Sequence, residues 1–426
     1  MSFRLALSMS VLQTGASMVL SFISVKITSV FLGAAGVGVL GQLQYFIAMS
    51  LGVIATGMNT GIVRLSASAA GDAGAQARVL STVLRMLLLA GPPVACVIAL
   101  LSGWLGPRLL HSDAYDDALL LFALCYVPGL LGNAVLARAN GAKDYAHVAI
   151  VNIGSNATAV ALFAVLCPVL GVKGALLVAA MGPALTFAIA WLAKRRRAWW
   201  PARPLAHGFS STDARAALAF VPMAAISAVA APLVQLLIRD EIVMHSGMAA
   251  VGWLQGVTRL SDMYLNVITG VLGMYFLPRF SEIRDAPTLE REIARGTLMI
   301  AVGAGSVSLL LYLLRDLVIH LVFTAEFAPM RDLFGWQMAG NAVKVVGWVF
   351  GYLLLAKAPP LLMAVFEAGM AVLLWALGML LVPQAGVLGA AQAYALTYMV
   401  YAVVAAMGVM LVLRRMRRVE AAGVVG

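Results

Sequence analysis

The sequence predicts an all-α membrane protein: twelve transmembrane helices in two parallel six-helix lobes, with the N and C termini both cytoplasmic. Three observations carry that prediction. The composition is apolar from end to end, twelve apolar stretches have membrane-crossing length, and a similarity recurs at half the chain length.

Of 426 residues, 62% are hydrophobic and only 11% are charged, against about 25% charged in an ordinary soluble domain. Polar surface is too scarce to cover a soluble globule. The longest polar stretches, 193–213 and 281–295, have the length of loops and fall short of the roughly 50 residues a small domain needs. That argues against catalysis in an extramembrane domain. The net charge of +11 would suit nucleic acid, but the bases stand in short clusters at the ends of apolar runs, as cytoplasmic anchoring charge does. No nucleic-acid partner is expected. Cys96, Cys125 and Cys167 lie inside apolar runs without CxxC spacing and read as small core residues.

A hydrocarbon core of about 30 Å takes roughly 20 helical residues at 1.5 Å each. That ruler places spans at 6–32, 38–62, 79–104, 116–138, 145–169, 173–193, 214–238, 248–276, 296–322, 330–356, 359–383 and 387–413. The first lacks an A-x-A cleavage site and is read as a retained span. Kinks are expected near Pro92, Pro128, Pro183 and Pro222. With both termini inside, 21 of the 29 basic residues fall on the inner side, among them Arg4 and the run Lys194, Arg195, Arg196 and Arg197. Five fall outside (Arg108, Lys173, Arg239, Arg315 and Arg331), and Lys26, Arg259 and Lys344 lie within spans. The positive-inside rule sets the orientation. Trp104, Trp191, Trp199 and Trp200 fall at span ends, where amphipathic rings prefer the headgroup layer.

GVKGA at 171–175 returns as GVLGA at 386–390, and the V-G-x-L pattern at 37–40 returns at 251–254, offsets of 215 and 214. Six spans per half is an even number, so both halves enter from the same side and the repeat is parallel. The domain expectation follows: 1–193 a six-helix lobe, 194–213 a basic cytoplasmic linker, 214–414 a second six-helix lobe, and 415–426 a cytoplasmic tail. Transporters built this way hold substrate between bundles and expose it alternately to the two sides.

Charges near the bilayer centre cost at least about 2.5–3.5 kcal/mol each, so those present face a cavity or a partner. In the eighth span Gln255, Arg259, Asp262, Asn266 and Thr269 share one helical face. Two readings fit: an Arg259–Asp262 ion pair between helices, or the wall of a wetted cavity, which the length of the stripe favours. In the tenth span Gln337, Asn341, Lys344, Trp348 and Tyr352 repeat the pattern. Lys344 is near mid-depth, too far from either surface to snorkel, so a cavity-facing ammonium is the better reading. The first span has Gln13, Ser17, Ser21, Ser24 and Thr28 on one face, with Lys26 roughly opposite and near enough to the outer end to snorkel. Glu367, deep in the eleventh span, is either a proton carrier or the counter-ion of a lysine. The histidines form no metal-ligand pair and there is no Walker A sequence. Neither metal, cofactor nor catalytic residue is expected, and energy is expected from a gradient or the membrane potential. A cavity with several bases, few acids and many amides and hydroxyls suits an anionic group on a sugar-like polyol.

The segments WLQGVTRLSDMYLNVITG, YFLPRFSE, LLRDLVIHLVF, MRDLFGWQMAGNAVKVVGWVFGYLLLAKA and GVLGAAQAYALTYMVY, with VKITSVFLGAAGVGVLGQ in the first hairpin, carry a family resemblance. From Trp253 to Arg415 the chain resembles Wzx-type flippases of the multidrug/oligosaccharidyl-lipid/polysaccharide (MOP) exporter superfamily, in particular the common-antigen (lipid III) and O-antigen branch. The middle of the first half is similar mainly in pattern. The resemblance implies MOP-type lobes in a bacterial inner membrane. The implied cargo is an undecaprenyl-pyrophosphate-linked oligosaccharide, moved by alternating access for surface polysaccharide synthesis. Candidate partners are membrane lipids, a polysaccharide polymerase and a chain-length regulator.

Lys26, Asp262, Lys344, Lys357 and Glu367 fall at positions where that family carries the same residues. Arg259 stands at a small polar position of the branch and Asn341 at an acidic one. This cavity is therefore more positive, and a coupling scheme that rests on the acid of the branch at position 341 does not carry over to it. The expected substrate-binding set is Lys344, Arg259, Lys26, Asn341, Gln255, Asn266, Trp348 and Tyr352, with Asp262 and Glu367 as coupling groups or counter-ions. The competing readings are a cation-coupled multidrug exporter, with Asp262 and Glu367 on the ion, and a membrane glycosyltransferase or polymerase. The second needs a catalytic base near a sizeable outer loop, and the outer loops expected at 239–248 and 324–330 are short.

Overall fold

The computed structural model describes residues 3–421 except 70, 195, 196, 198, 202 and 220, together with the side chains of those residues apart from 3–12, 222–225, 227, 360 and 419. Arg195, Arg196, the Arg4 side chain and the tail beyond 421 lie outside the described residues. The long helices are α1 Phe3–Ser68, α2 Ala73–Leu100, α3 Asp116–Gly141, α4 Tyr145–Ala193, α5 Val221–Val271, α6 Ala286–Leu313, α7 Leu333–Lys357, α8 Pro360–Ala385 and α9 Val387–Ala421. No strand occurs among the described residues.

Nine helical stretches among the described residues are long and apolar enough to cross a membrane. Three of the helices are each two rods joined at one glycine outside the helical region: α1 at Gly33 (φ 64°, ψ −176°), α4 at Gly171 (57°, −135°) and α5 at Gly247 (78°, 170°). The result is an all-α, multi-pass membrane fold of about twelve helices. Leu100 is 85% exposed, Leu89 80%, Leu124 76% and Leu361 75%. Such a density of outward leucine belongs in hydrocarbon rather than water.

The bends repeat along the chain. Gly33 and Gly247 are 214 residues apart, and Gly171 and Gly386, the latter between α8 and α9 at φ 59°, are 215 apart. These backbone conformations are open to glycine and costly to a residue with a Cβ. N-caps keep the same step. Asp72 accepts from the Ala75 amide at 2.9 Å to start α2, and 213 residues on Asp285 accepts from the Thr288 amide at 2.8 Å to start α6. The Thr288 hydrogen bonds hold the Asp285 carboxyl below the usual carboxylate range. Its cap is therefore fully present above that range and lost on acidification.

Pro92, Pro128 and Pro183 sit inside α2, α3 and α4, and the breaks in helical backbone geometry are at glycines. Two expectations are corrected. Cys96 on α2 is exposed rather than a core residue. Arg239 is not in an outer loop. The first rod of α5 runs on to Gly247, and Arg239 is 0% exposed, because a positive-φ glycine, rather than the first polar cluster, ends the rod.

The chain forms two compact units, Met1–Leu236 and Leu237–Gly426. In the first, Phe122 packs edge-on against Phe46 and Tyr126, and the Tyr126 hydroxyl donates to the Ser50 carbonyl at 2.9 Å. Gly129 and Gly132 let α3 lie against Pro183 and Phe187 of α4. The described part of 194–213 folds back on this unit. His207 accepts from the Ser81 hydroxyl at 2.7 Å, the Trp199 indole donates to Asp144 at 2.8 Å, and the Lys194 ammonium lies 3.1 Å from the Trp191 ring centre. In the second unit Phe276, Phe280, Leu289, Val345, Val349 and Leu353 form a buried core. There the end of α9 is tied to the start of α6 by an Arg417–Glu290 ion pair and by Glu420, which accepts from the Ala286 amide.

Candidate functional site

Helix α7 is built to be approached closely. At Gly340 a Cβ would stand 2.8 Å from the Tyr394 ring, and at Gly347 2.8 Å from the Tyr401 ring. Small residues at these positions admit large rings from the neighbouring helix. Helix α9 supplies them: Tyr394, Tyr398 and Tyr401, at spacings of four and three, lie on one face. Their ring centres are 4.8 Å and 5.9 Å apart in succession.

Lys344 projects into this aromatic wall. Its ammonium lies 4.5 Å from the Tyr398 ring centre, 4.9 Å from Trp348 and 5.2 Å from Tyr394, and donates to the Tyr394 hydroxyl at 3.2 Å. The π faces attract the cation without cancelling its charge. Among the described residues Lys344 forms no ion pair with a carboxylate. An ammonium has three hydrogens, and the Tyr394 and Tyr398 hydroxyls take two of them at most, which leaves a donor for an incoming anion.

The contact continues inward as a directional chain. Tyr394 donates to the Asn341 carbonyl oxygen at 2.7 Å, Asn341 donates to the Ser261 hydroxyl at 2.8 Å, and Ser261 donates to the Val257 carbonyl at 3.0 Å. Asn341 is 0% exposed, and it also takes a long 3.5 Å contact from Gln337. Its geometry is that of a residue that positions Tyr394 and hence Lys344. Gln255, also buried, accepts from the Arg239 guanidinium at 2.6 Å. Tyr394→Phe keeps the ring but leaves the Asn341 carbonyl without its short partner. A loss of about 1–3 kcal/mol is expected, readable as a lower unfolding midpoint of the purified chain in detergent.

Asp262 and Asn266 are accessible on the second rod of α5, and Arg259 is half-buried one turn before. Asp262 lies within electrostatic reach of Lys344, Arg259 and Arg239. Glu367, accessible on α8, accepts from the Tyr401 hydroxyl at 3.3 Å and is within electrostatic reach of Lys344. The structure thus gathers Lys344, Asp262, Arg259, Glu367 and Trp348 in the second unit. Tyr352, half-buried on α7, lies beside Gly273. Lys357 is differently employed, donating to the carbonyls of Ile283 at 2.7 Å and Ser281 at 3.4 Å. Lys26 belongs to the first unit, on the accessible side of α1 opposite buried Ser24 and Thr28. Sequence reasoning missed Arg239, Ser261 and the three tyrosines. The run AYALTYMVY carries the 4, 3 spacing that could have found the tyrosines.

No family model matches the chain. The lipid III flippase of Escherichia coli (strain K12) is 32% identical over 377 residues, covering 88% of this chain and 90% of that protein. The lipid III flippase of Shigella flexneri gives the same figures. Among solved structures, an inward-facing multidrug resistance MATE family transporter of the MOP superfamily matches with a TM-score of 0.80 at 13% identity, over 94% of this chain and 96% of that one. The lipid II flippase MurJ, in an inward closed conformation, matches with a TM-score of 0.69 at 13% identity, over 97% and 89%. These two likenesses establish the fold.

Proposed function

The chain belongs to the lipid III flippase family of the MOP superfamily of multi-pass membrane transporters, and from that premise we propose that it turns over an undecaprenyl-pyrophosphate-linked oligosaccharide from the cytoplasmic to the periplasmic leaflet of a bacterial inner membrane. The observation that carries this reading is Lys344: an ammonium held by aromatic faces, with no contact carboxylate among the described residues and with a donor left over. Diphosphate oxygens are strong acceptors for such a group. In this reading Arg259 adds a second cation, and Asp262 and Glu367 take up the lysine's charge when cargo has left. Asn266, Trp348 and Tyr352 meet sugar, Gln255 and Asn341 hold Arg239 and Tyr394 in place, and Lys26 is a further cation on the cargo's path. The lobes are 1–193 and 214–414, joined by the linker 194–213, with the tail 415–426 and both termini cytoplasmic. Transport is by alternating access, without nucleotide hydrolysis. A polysaccharide polymerase and a chain-length regulator are the candidate protein partners.

Expression in cells lacking their own lipid III flippase tests the reading. Restored surface glycan is expected. Drug resistance with no surface glycan would replace it with a cation-coupled exporter using Asp262 and Glu367. A change in cargo mass on incubation with the purified chain would replace it with a glycosyltransferase.

A further inference from the structure

A second feature of the Leu237–Gly426 unit lies away from Lys344. Where α7 ends, α8 begins and α9 approaches its basic end, the helices splay around a cavity of about 1040 Å³. That is at the upper edge of the roughly 300–1,000 Å³ of pockets for drug-sized molecules. Its walls are hydrocarbon, with Leu354, Met363, Phe366, Val404, Leu411 and Val412 among them. Arg284, Lys357, Arg415 and Glu420 also line it.

The charge at this groove is not internally cancelled. Glu420 is engaged by the Ala286 amide at 2.7 Å. Lys357 is held on two carbonyls and lies near enough to Arg284 for the two cations to repel each other. Arg284 and Arg415 are exposed, and neither forms an ion pair among the described residues. Two like charges kept together beside a greasy slot call for an anion that carries hydrocarbon. Basic pockets between transmembrane helices on the cytoplasmic side bind acidic headgroups in this way. The positive-inside rule puts the end of α9 bearing Arg414, Arg415, Arg417 and Arg418 on that side.

We propose that this groove is a binding site for a two-chain anionic glycerophospholipid of the cytoplasmic leaflet, its phosphate on Arg284 and Arg415 and its acyl chains along the wall from Leu354 to Leu411. The site is separate from the transported lipid's diphosphate. Lys344 and Lys357 are thirteen residues apart on α7, about 20 Å at 1.5 Å per residue, so one diphosphate cannot serve both. A prenyl tail alone would have no use for the bases. The proposal does not depend on the identity of the cargo.

The test is retention of lipid by the purified full-length chain in detergent, read by native mass spectrometry. Palmitoyl-oleoyl phosphatidylglycerol is compared with phosphatidylethanolamine carrying the same chains, on the wild type and on Arg284→Gln/Arg415→Gln. Both residues are exposed, so the double variant is expected to fold. Wild-type chain should prefer phosphatidylglycerol, and the double variant should bind it about thirty-fold more weakly, the equivalent of roughly 1 kcal/mol per base. Phosphatidylethanolamine binding should be unchanged. Equal retention of the two lipids, or undiminished phosphatidylglycerol binding by the double variant, would overturn the proposal. So would displacement of bound phosphatidylglycerol by an equal concentration of farnesyl diphosphate, which would assign the groove to a prenyl chain.

Discussion

Lys344→Met is expected to reduce delivery of lipid-linked glycan by about thirty-fold or more while the protein still accumulates in the membrane. Methionine keeps the length and apolar stem of lysine, and a thioether sits well among Trp348, Tyr394 and Tyr398, since sulfur–aromatic contacts are favourable. Folding should therefore survive the exchange. What is removed is the charge. Deleting one partner of a desolvated, hydrogen-bonded charge pair typically costs 2–5 kcal/mol of binding, and on the proposed reading that partner is the cargo's diphosphate. Lys344→Arg should recover part of the activity, because a guanidinium stacks on aromatic faces and binds phosphate, yet its fork does not fit a slot shaped for a point charge. The measurement is surface glycan in complemented cells, normalised to membrane-inserted protein. Wild-type glycan from Lys344→Met would remove the lysine from the cargo's path.

Arg259→Gln should also weaken transport, since on the proposed reading it removes a second cation that meets the cargo's diphosphate.

Much of this site was legible, and what was not has physical causes. The stripes on the eighth and tenth spans could be read because helical spacing alone puts Gln255, Arg259, Asp262 and Asn266 on one face and Asn341, Lys344, Trp348 and Tyr352 on another. Nothing local says which residue another helix will meet. Asn341 is fixed by Ser261, 80 residues away, and by Tyr394, 53 away, so its role in positioning was out of reach. Tyr394, Tyr398 and Tyr401 lie in an apolar run, where aromatic residues ordinarily signify core. Arg239 was hidden by its neighbours Asp240 and Glu241, since a charged cluster at the end of an apolar run looks like a loop. Helix continues through all three because the backbone turns only at Gly247. The repeat, by contrast, was visible as GVKGA and GVLGA before its purpose was. The glycine that opens each motif takes a positive φ, at Gly171 and Gly386, and the second glycine of each, Gly174 and Gly389, packs against backbone.

That packing sets up the other large effect, and even alanine is expected to produce it. A Cβ on Gly389 would meet the Leu381 carbonyl group and the Val382 nitrogen, and a Cβ on Gly174 would meet the carbonyl group of Leu166, the equivalent residue 215 positions before Leu381. Backbone carbonyls of a helix cannot rotate aside as a side chain can, so the two helices of each hairpin must separate. Overpacking a core against side chains costs about 1–3 kcal/mol, and a collision with backbone should reach or exceed the top of that range. Gly174→Ala and Gly389→Ala are therefore expected to lower the unfolding temperature sharply or to prevent accumulation in the membrane, and to do so alike. Gly182→Ala supplies the control. It lies within α4 with nothing within 4 Å of a would-be Cβ, so it should be neutral or stabilise by about 0.5–1 kcal/mol, as glycine replacement inside a helix does. The measurement is thermal unfolding of the three variants in one detergent. If Gly389→Ala melted with Gly182→Ala, the close approach would not be what holds the hairpin. If Gly174→Ala and Gly389→Ala parted company, the half-length repeat would be a likeness of sequence that the two hairpins no longer share in their packing.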